Sequence, residues 1–187
     1  MRIVAGKFRS RRLKGPGKFL LRPTSDRLRE TLFNILGPSI EGSLFVDLYA
    51  GTGAIGIEAL SRGAREVYFI ESHPRTARLI RENLDALGVL EGADVMARDV
   101  LDGLERLSSR HLLADFIFLD PPYARRDKLD EVLDYLDASH LIAPSGIVIA
   151  EHYRKADLPE RLTRLERFRF LEQGDASLSF YRLAAAA

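Results

Sequence analysis

The sequence contains no cysteine and only four histidines among its 187 residues. Without cysteine the chain can form neither a disulfide nor a thiolate metal site. The histidines do not have the spacing of metal ligands, so we expect no bound metal. They are His73, His111, His140 and His152.

The sequence also lacks an apolar run long enough to cross a membrane, and its N-terminus has no apolar signal region. We therefore expect a cytoplasmic protein. A composition of 46% hydrophobic and 29% charged residues is that of an ordinary globular protein, and the length is sufficient for one sizeable core. No exposed apolar stripe calls for a dimer, so we expect a monomer.

The net charge of +1 conceals an uneven distribution. Residues 1–29 hold ten basic side chains against one acidic side chain, so the rest of the chain has a net charge of −8. A basic arm on an acidic body is the electrostatic footprint of a protein that binds a polyanion, most often a nucleic acid. The alternative is a solvated basic tail that aids solubility.

A glycine-rich loop follows the first predicted buried strand. Gly51, Gly53 and Gly56 match G-x-G-x-x-G, which gives a tight turn, close approach of the backbone to a ligand and close packing of the next helix. The next predicted strand ends at Glu71, about twenty residues after the first glycine, where an acid meets a ribose diol. The pattern predicts a ligand that contains a ribonucleoside. It does not distinguish a dinucleotide from S-adenosylmethionine.

A second motif, at residues 116–123, leads a buried strand into a carboxylate, two prolines and an aromatic ring. Asp120 would emerge at the carboxyl end of the strand, where open α/β folds bind ligands. Pro121 and Pro122 fix the turn and its carbonyl acceptors, and Tyr123 adds a stacking face. Two acceptors can hold the N–H bonds of a nucleobase amine while its lone pair points at an electrophile. The alternative is a plain Pro-Pro turn in which Asp120 caps nearby backbone.

Strand and helix patterns alternate along the chain, which implies a parallel sheet with helices on both faces. Strands are predicted over 44–48, 66–70, 95–98, 116–119 and 146–150, and helices over 25–36, 54–62, 74–87, 100–104 and 129–136. Residues 165–172 and 177–183 alternate as strands about Gly174-Asp175, which predicts an antiparallel hairpin. We interpret Glu151-His152-Tyr153 as a surface loop. The prediction is a doubly wound, mostly parallel, seven-stranded α/β sheet with a C-terminal hairpin.

These motifs resemble those of class I S-adenosylmethionine-dependent methyltransferases that modify exocyclic amines. The shared residues are Asp47-Leu48-Tyr49-Ala50-Gly51-Thr52-Gly53, Glu71, Asp99 and Asp120-Pro121-Pro122-Tyr123. More narrowly, the N-terminal motifs resemble those of the bacterial RsmD family, over essentially the whole chain. They are Arg2-Ile3-Val4-Ala5-Gly6-Lys7, Arg11-Arg12-Leu13, Arg22-Pro23-Thr24 and Arg29-Glu30-Thr31-Leu32-Phe33-Asn34-Ile35-Leu36. Enzymes of that family methylate the N2 amine of guanine 966 in 16S ribosomal RNA.

The resemblance implies S-adenosylmethionine as cofactor and 16S rRNA, in an assembled or assembling small ribosomal subunit, as partner. It implies a basic RNA-binding extension over 1–24 and a methyltransferase domain over 25–187. The implied cofactor-binding residues are Thr24, Asp47, Tyr49, Gly51, Thr52, Gly53, Glu71, Asp99 and Val100. The residues that would hold the flipped guanine are Asp120, Pro121, Pro122 and Tyr123. The implied RNA contacts are Lys7, Arg9, Arg11, Arg12 and Arg22.

Within the cofactor set, Glu71 would bind the ribose hydroxyls and Asp99 the adenine. Asp47, Gly51 and Gly53 would line the methionine side. On its own, Asp99 fits equally well as an N-cap of the following helix.

Three other functions remain open at this point. A nicotinamide-dependent oxidoreductase would explain the glycine loop and Glu71, but not residues 120–123 or the basic arm. A nucleic-acid-binding module without catalysis would explain the arm alone. A methyltransferase acting on another RNA, on DNA adenine N6 or on protein glutamine would share a related tetrapeptide.

Overall fold

The structure, a computed structural model, describes residues 1–15, 26–121 and 126–185. They form two compact units, Met1–Asp99 and Val100–Ala187.

The first unit is built from β-α repeats. Its elements are α1 (Asp26–Leu36), a 3₁₀ turn (Gly37–Ile40), β1 (Leu44–Leu48), α2 (Ala54–Ser61), β2 (Glu66–Ile70), α3 (Pro74–Leu87) and β3 (Ala93–Met96). The strands are parallel in the order β3-β2-β1. Every residue of β1 is buried, as expected for a strand of a parallel sheet covered on both faces. The third strand lies two residues earlier than the predicted 95–98.

The second unit combines one parallel strand pair with an antiparallel hairpin. Its elements are α4 (Val100–Ser109), β4 (Ala114–Leu119), α5 (Arg126–Ala138), β5 (Ile142–Tyr153), β6 (Leu165–Gln173) and β7 (Ala176–Leu183). β4 pairs with β5 in parallel, whereas β7 is antiparallel to both β5 and β6, in the order β4-β5-β7-β6. The predicted hairpin is present, and its turn includes Gly174 at a φ of +66°.

The interpretation of Glu151-His152-Tyr153 as a surface loop is wrong. These residues belong to β5, and the first two side chains are buried. β7 supplies their backbone pairing, and the His152 Nε2 atom lies 2.9 Å from the Ser179 hydroxyl. The antiparallel neighbour therefore satisfies polar groups that the sequence pattern assigned to solvent.

Residues 1–13 form a hairpin, which we call the N-terminal hairpin. Arg2 and Arg12 form an antiparallel bridge, and the Ile3 amide donates to the Arg11 carbonyl at 3.0 Å. Ile3 and Leu13 are buried, so the hairpin packs on the unit although most of its basic side chains are exposed.

The tip of the N-terminal hairpin is docked on the C-terminal turn of α2. The Lys7 amide donates to the Ser61 carbonyl at 2.7 Å, and the Phe8 amide donates to the Ser61 hydroxyl at 3.0 Å. Gly6 has a φ of +79°, and a Cβ atom there would lie 1.8 Å from the Ser61 carbonyl oxygen. Only glycine permits this contact.

Gly6→Ala should therefore undock the hairpin and lower the free energy of unfolding by about 3 kcal/mol or more, since a steric clash adds to the backbone strain. Gly42→Ala is the matched control, because Gly42 also has a positive φ (+74°) but no heavy atom within 4 Å of its Cβ position. That control should cost only about 1–2 kcal/mol. Urea unfolding of both variants measures the difference, and equal losses would show that the Ser61 contact does not hold the hairpin.

Candidate functional site

The glycine loop joins β1 to α2 through a series of left-handed backbone conformations. Tyr49, Gly51 and Gly53 have φ angles of +58°, +55° and +77°. The third glycine of the pattern, Gly56, lies against β2, because a Cβ atom there would be 2.3 Å from the Phe69 ring. The pattern therefore fixes the turn and permits close packing of α2 on the sheet.

The first glycine leaves space for a ligand beside the backbone. The nearest heavy atom to a Cβ position on Gly51 is the Tyr49 carbonyl oxygen, at 3.8 Å. The Gly51 amide donates to Glu71 Oε2 at 2.9 Å, and the His73 amide donates to Glu71 Oε1 at 2.8 Å. Each carboxylate oxygen of the partly exposed Glu71 keeps acceptor capacity that a diol can use. Gly51 and Glu71, whose spacing in the sequence suggested a shared site, are thus in direct contact in the structure.

Asp47, a buried residue of β1, binds the backbone at the end of the glycine loop. Its side chain is 2% exposed, and its Oδ2 atom accepts a hydrogen bond of 2.8 Å from the Gly56 amide in the first turn of α2. Gly53, the N-cap residue, offers no side chain, so a carboxyl from β1 caps the helix instead. Burial is the main cause that raises the pKa of Asp47 to about 8; the Gly56 hydrogen bond lowers this pKa in part, and the nearby Glu71 charge adds to the rise.

The remaining predicted cofactor and base-binding residues lie after strands. Asp99 is exposed, follows β3 and directly precedes Val100, the first residue of α4, a position that suits both an adenine contact and an N-cap. Asp120 is partly exposed at the carboxyl end of β4, and Pro121 after it is buried. Four predicted site residues fall outside the described residues: Arg22, Thr24, Pro122 and Tyr123.

The four described residues predicted to contact RNA all have exposed side chains on the N-terminal hairpin. They are Lys7, Arg9, Arg11 and Arg12. Arg11 also has a structural contact, since its Nη2 atom donates to the Ala86 carbonyl of α3 at 2.8 Å. Lys7 Nζ lies 4.7 Å from the centroid of the Phe8 ring.

Comparison with known proteins gives matches along almost the whole chain. The family model described as Conserved hypothetical protein 95 matches residues 1–182. Ribosomal RNA small subunit methyltransferase D of Haemophilus influenzae is 34% identical over 184 residues, which cover 98% of this chain and 92% of that protein. The protein of the same name from Escherichia coli K12 is 35% identical over 159 residues, or 85% of this chain and 78% of that protein. This chain belongs to the RsmD family.

The solved structure of Escherichia coli yhhF has a TM-score of 0.84 to this chain at 30% identity, and the match covers 100% of this chain and 99% of that chain. The RsmD resemblance of the N-terminal motifs is therefore confirmed. So are the mixed seven-stranded α/β fold with its C-terminal hairpin and the class of enzyme, an S-adenosylmethionine-dependent methyltransferase.

Sequence patterns missed one residue beside the loop of this RsmD-family chain. Asn83 of α3 is buried, and its side-chain amide donates to the Thr52 carbonyl inside the glycine loop at 3.2 Å. An asparagine on an amphipathic helix is unremarkable in sequence. Only its burial among the apolar positions of α3, such as Ile80 and Leu84, could have drawn attention to it.

Among residues 1–15, 26–121 and 126–185, no group of three or more His, Asp or Glu side chains could hold a metal ion. No helix in the same residues is long and apolar enough to cross a membrane.

The raised pKa of Asp47 predicts how stability depends on pH. The native state retains a proton on this carboxyl between pH 3.8 and about 8, whereas an ordinary unfolded-state carboxyl has lost it. The contribution of Asp47 to stability is therefore fully present below pH 3.8 and is lost as pH rises through about 8.

Asp47→Asn retains an acceptor for the Gly56 amide and cannot ionise. Relative to wild type, this variant should gain stability as pH rises from 4 to 8, by on the order of a few kcal/mol. Denaturant unfolding at a series of pH values measures this gain. A constant difference between the two proteins would contradict the raised pKa.

Proposed function

We propose that this protein transfers the methyl group of S-adenosylmethionine to the N2 amine of a guanine in 16S rRNA, at the position that the family resemblance gives as 966. The substrate is the assembled or assembling small ribosomal subunit in the cytoplasm, and the enzyme acts as a monomer. The relatives named ribosomal RNA small subunit methyltransferase D support ribosomal RNA as the substrate. The contact between Gly51 and Glu71 carries the cofactor part of the proposal.

The residues of the glycine loop fit S-adenosylmethionine. The space beside Gly51 lets a ligand approach the backbone. The amides of Gly51 and His73 orient Glu71, and the remaining lone pairs of its carboxylate can accept hydrogen bonds from ribose hydroxyls. Asp47, Gly51 and Gly53 would line the methionine side and Asp99 would meet the adenine, and Thr24, Tyr49, Thr52 and Val100 complete the implied cofactor-binding set. When bound, S-adenosylmethionine supplies an electrophilic methyl group on a positive sulfur.

Asp120 would orient the amine of the guanine. Its carboxylate can accept one N–H of the amine, and a carbonyl of the adjoining proline turn, which begins at Pro121, can accept the other. Both hydrogen bonds favour the pyramidal nitrogen whose lone pair would attack the methyl carbon. The N–C bond would form as the methyl–sulfur bond breaks, with S-adenosylhomocysteine as the leaving group, and the proton that the amine loses can pass through Asp120 to water. The guanine must leave its stack to reach this position, and Tyr123 would stack on it.

The N-terminal hairpin would bind the phosphates of the substrate RNA. Lys7, Arg9 and Arg12 are exposed on a hairpin that is fixed to α2 by backbone hydrogen bonds, so they form a rigid basic surface. A surface whose backbone is fixed in this way loses less backbone entropy on binding than a disordered tail would. Residues 1–24, which include Arg22, would form the RNA-binding extension, and residues 25–187 the methyltransferase domain.

Asp120→Ala should abolish methyl transfer and leave the dissociation constant for S-adenosylhomocysteine unchanged, because Asp120 would touch only the base. Glu71→Ala should do the reverse and raise that dissociation constant by roughly tenfold or more, because it removes charge-assisted hydrogen bonds. Asp115→Ala, at the amino end of β4, is the matched control and should behave as wild type.

The assay measures transfer of a labelled methyl group to unmodified small ribosomal subunits, free 16S rRNA and DNA in parallel, followed by nucleoside analysis. N2-methylguanosine from the ribosomal substrates is the expected product. Label in DNA alone would contradict the substrate proposal, as would label only in protein. Loss of cofactor binding in Asp120→Ala would move Asp120 out of the base site.

Neutralising Arg9 and Arg12 to Gln should weaken binding to the small subunit and make the slope of log K against log salt less negative by about 0.7–0.9 per phosphate contact. Arg106→Gln with Lys155→Gln, which removes two exposed cations from the second unit, is the control. An unaltered slope in the Arg9/Arg12 variant, or an equal change in the control, would show that the N-terminal hairpin does not bind phosphates.

A further inference from the structure

Asn83 is a buried polar side chain that lies outside the proposed binding residues. It is 2% exposed and sits on the inner face of α3. Its Oδ1 atom accepts from the Lys14 amide at 2.8 Å, and its Nδ2 atom donates to the Lys14 carbonyl and to the Thr52 carbonyl, each at 3.2 Å. Both N–H bonds and one acceptor site of the amide are therefore used.

These hydrogen bonds join two parts of the chain that have different proposed roles. Lys14 directly follows the N-terminal hairpin, and Thr52 lies between Gly51 and Gly53 of the cofactor loop. Thr52 also meets the other end of the hairpin, since its hydroxyl lies 3.9 Å from the Met1 sulfur. Met1, at the start of the hairpin, thus contacts Thr52 directly, whereas Lys14, after its end, is joined to Thr52 through Asn83.

The geometry makes the Asn83 amide a link rather than two independent contacts. Its single NH₂ group donates one proton to each carbonyl, and the two N–H directions are fixed at about 120° by the planar amide. A shift of the Lys14 backbone therefore rotates the amide and changes the hydrogen bond to Thr52. Since the amide is buried, an unmade bond costs its full desolvation penalty, so the two positions are energetically dependent on each other.

We propose that Asn83 is a positioning residue that couples RNA contact by the N-terminal hairpin to cofactor binding by the glycine loop. RNA bound to the hairpin stabilises the hydrogen bonds that already join Lys14 to Thr52 through Asn83, and these hold the loop in the conformation that binds the cofactor. By linkage, bound cofactor strengthens RNA binding by the same factor. This inference rests on the proposed function of the hairpin and the loop.

The test measures binding of labelled S-adenosylhomocysteine by equilibrium dialysis, with and without saturating unmodified small ribosomal subunits. The ratio of the two dissociation constants is the coupling factor. In wild type we expect about fivefold or more, the lower end of typical allosteric coupling. Asn83→Ala should bring the ratio close to one. Loosened packing would weaken both measurements alike and would leave the ratio unchanged.

Glu82→Gln is the matched control. Glu82 is the neighbour of Asn83 on α3 and contacts the same residue, but through an exposed ion pair with the Lys14 ammonium at 3.2 Å and not through the backbone. This variant should retain the wild-type ratio. If Asn83→Ala does not fold, as a thermal melt would show, Asn83→Ser is measured in the same way with the same expectation.

Two results would overturn the inference: a wild-type ratio near one, or an Asn83 variant that keeps the wild-type ratio. Failure of the proposed function is separately recognisable, because then wild type would bind no S-adenosylhomocysteine or would not bind the small subunit at all.

Discussion

A fully buried carboxylate, Glu58 of α2, determines where the N-terminal hairpin lies. Its oxygens accept from the Val4 amide at 2.8 Å, the Ala5 amide at 2.9 Å and Arg62 Nε at 2.8 Å, and the buried Arg29 lies 3.6 Å away through Nε. Burying this charge costs several kcal/mol, which only a complete set of donors offsets. Two of the donors are backbone groups of the hairpin. If the hairpin left α2, the Glu58 carboxylate would lose two of these three hydrogen-bond donors.

The same cluster ties α1 into the site. The guanidinium of Arg29, on α1, also donates to the Arg2 carbonyl and to the Asp26 carboxylate. Glu58 thus lies at the meeting point of α1, α2 and the hairpin, and α2 is the helix whose first turn the glycine loop builds and Asp47 caps. The cofactor loop and the tip of the N-terminal hairpin therefore lie at opposite ends of one short helix. Their separation is fixed by the length of α2 and not by a linker.

Local rules predicted the parts of the site that lie within one β-α-β unit. The spacing from Gly51 to Glu71 became a hydrogen bond, and the close packing expected at Gly56 is met by Phe69. These contacts follow from the geometry of strand, turn and helix, which a sequence pattern encodes directly.

Contacts between distant segments could not be predicted in this way. Glu58 and Asn83 have the appearance of ordinary polar helix positions, and their partners lie 53 and 69 residues away. The prediction of a surface loop at Glu151 and His152 was wrong for the same reason. The backbone of these residues pairs with β7, which comes later in the chain. A polar residue after an apolar strand indicates a loop only when no later strand covers it. The family motif at the N-terminus was informative because it includes residues, such as Gly6, that are required by contacts with distant segments of the chain.

Counting charges overestimates the cations that the basic arm can offer to RNA. Arg29 is buried against Glu58, Lys14 pairs with Glu82, and Arg11 donates to a carbonyl of α3. Of the described residues predicted to contact RNA, three are exposed and have no such contact with an acidic side chain or a carbonyl: Lys7, Arg9 and Arg12. Three phosphate contacts give a salt slope of about −2 to −3, well short of the −6 to −8 or so that the formal excess of nine charges suggests. Any steeper dependence must come from Arg2 and Arg11, which are exposed but have contacts within the protein, or from cations outside the hairpin. Much of the positive charge near the N-terminus thus builds the fold, and the part left for RNA is small and rigidly placed.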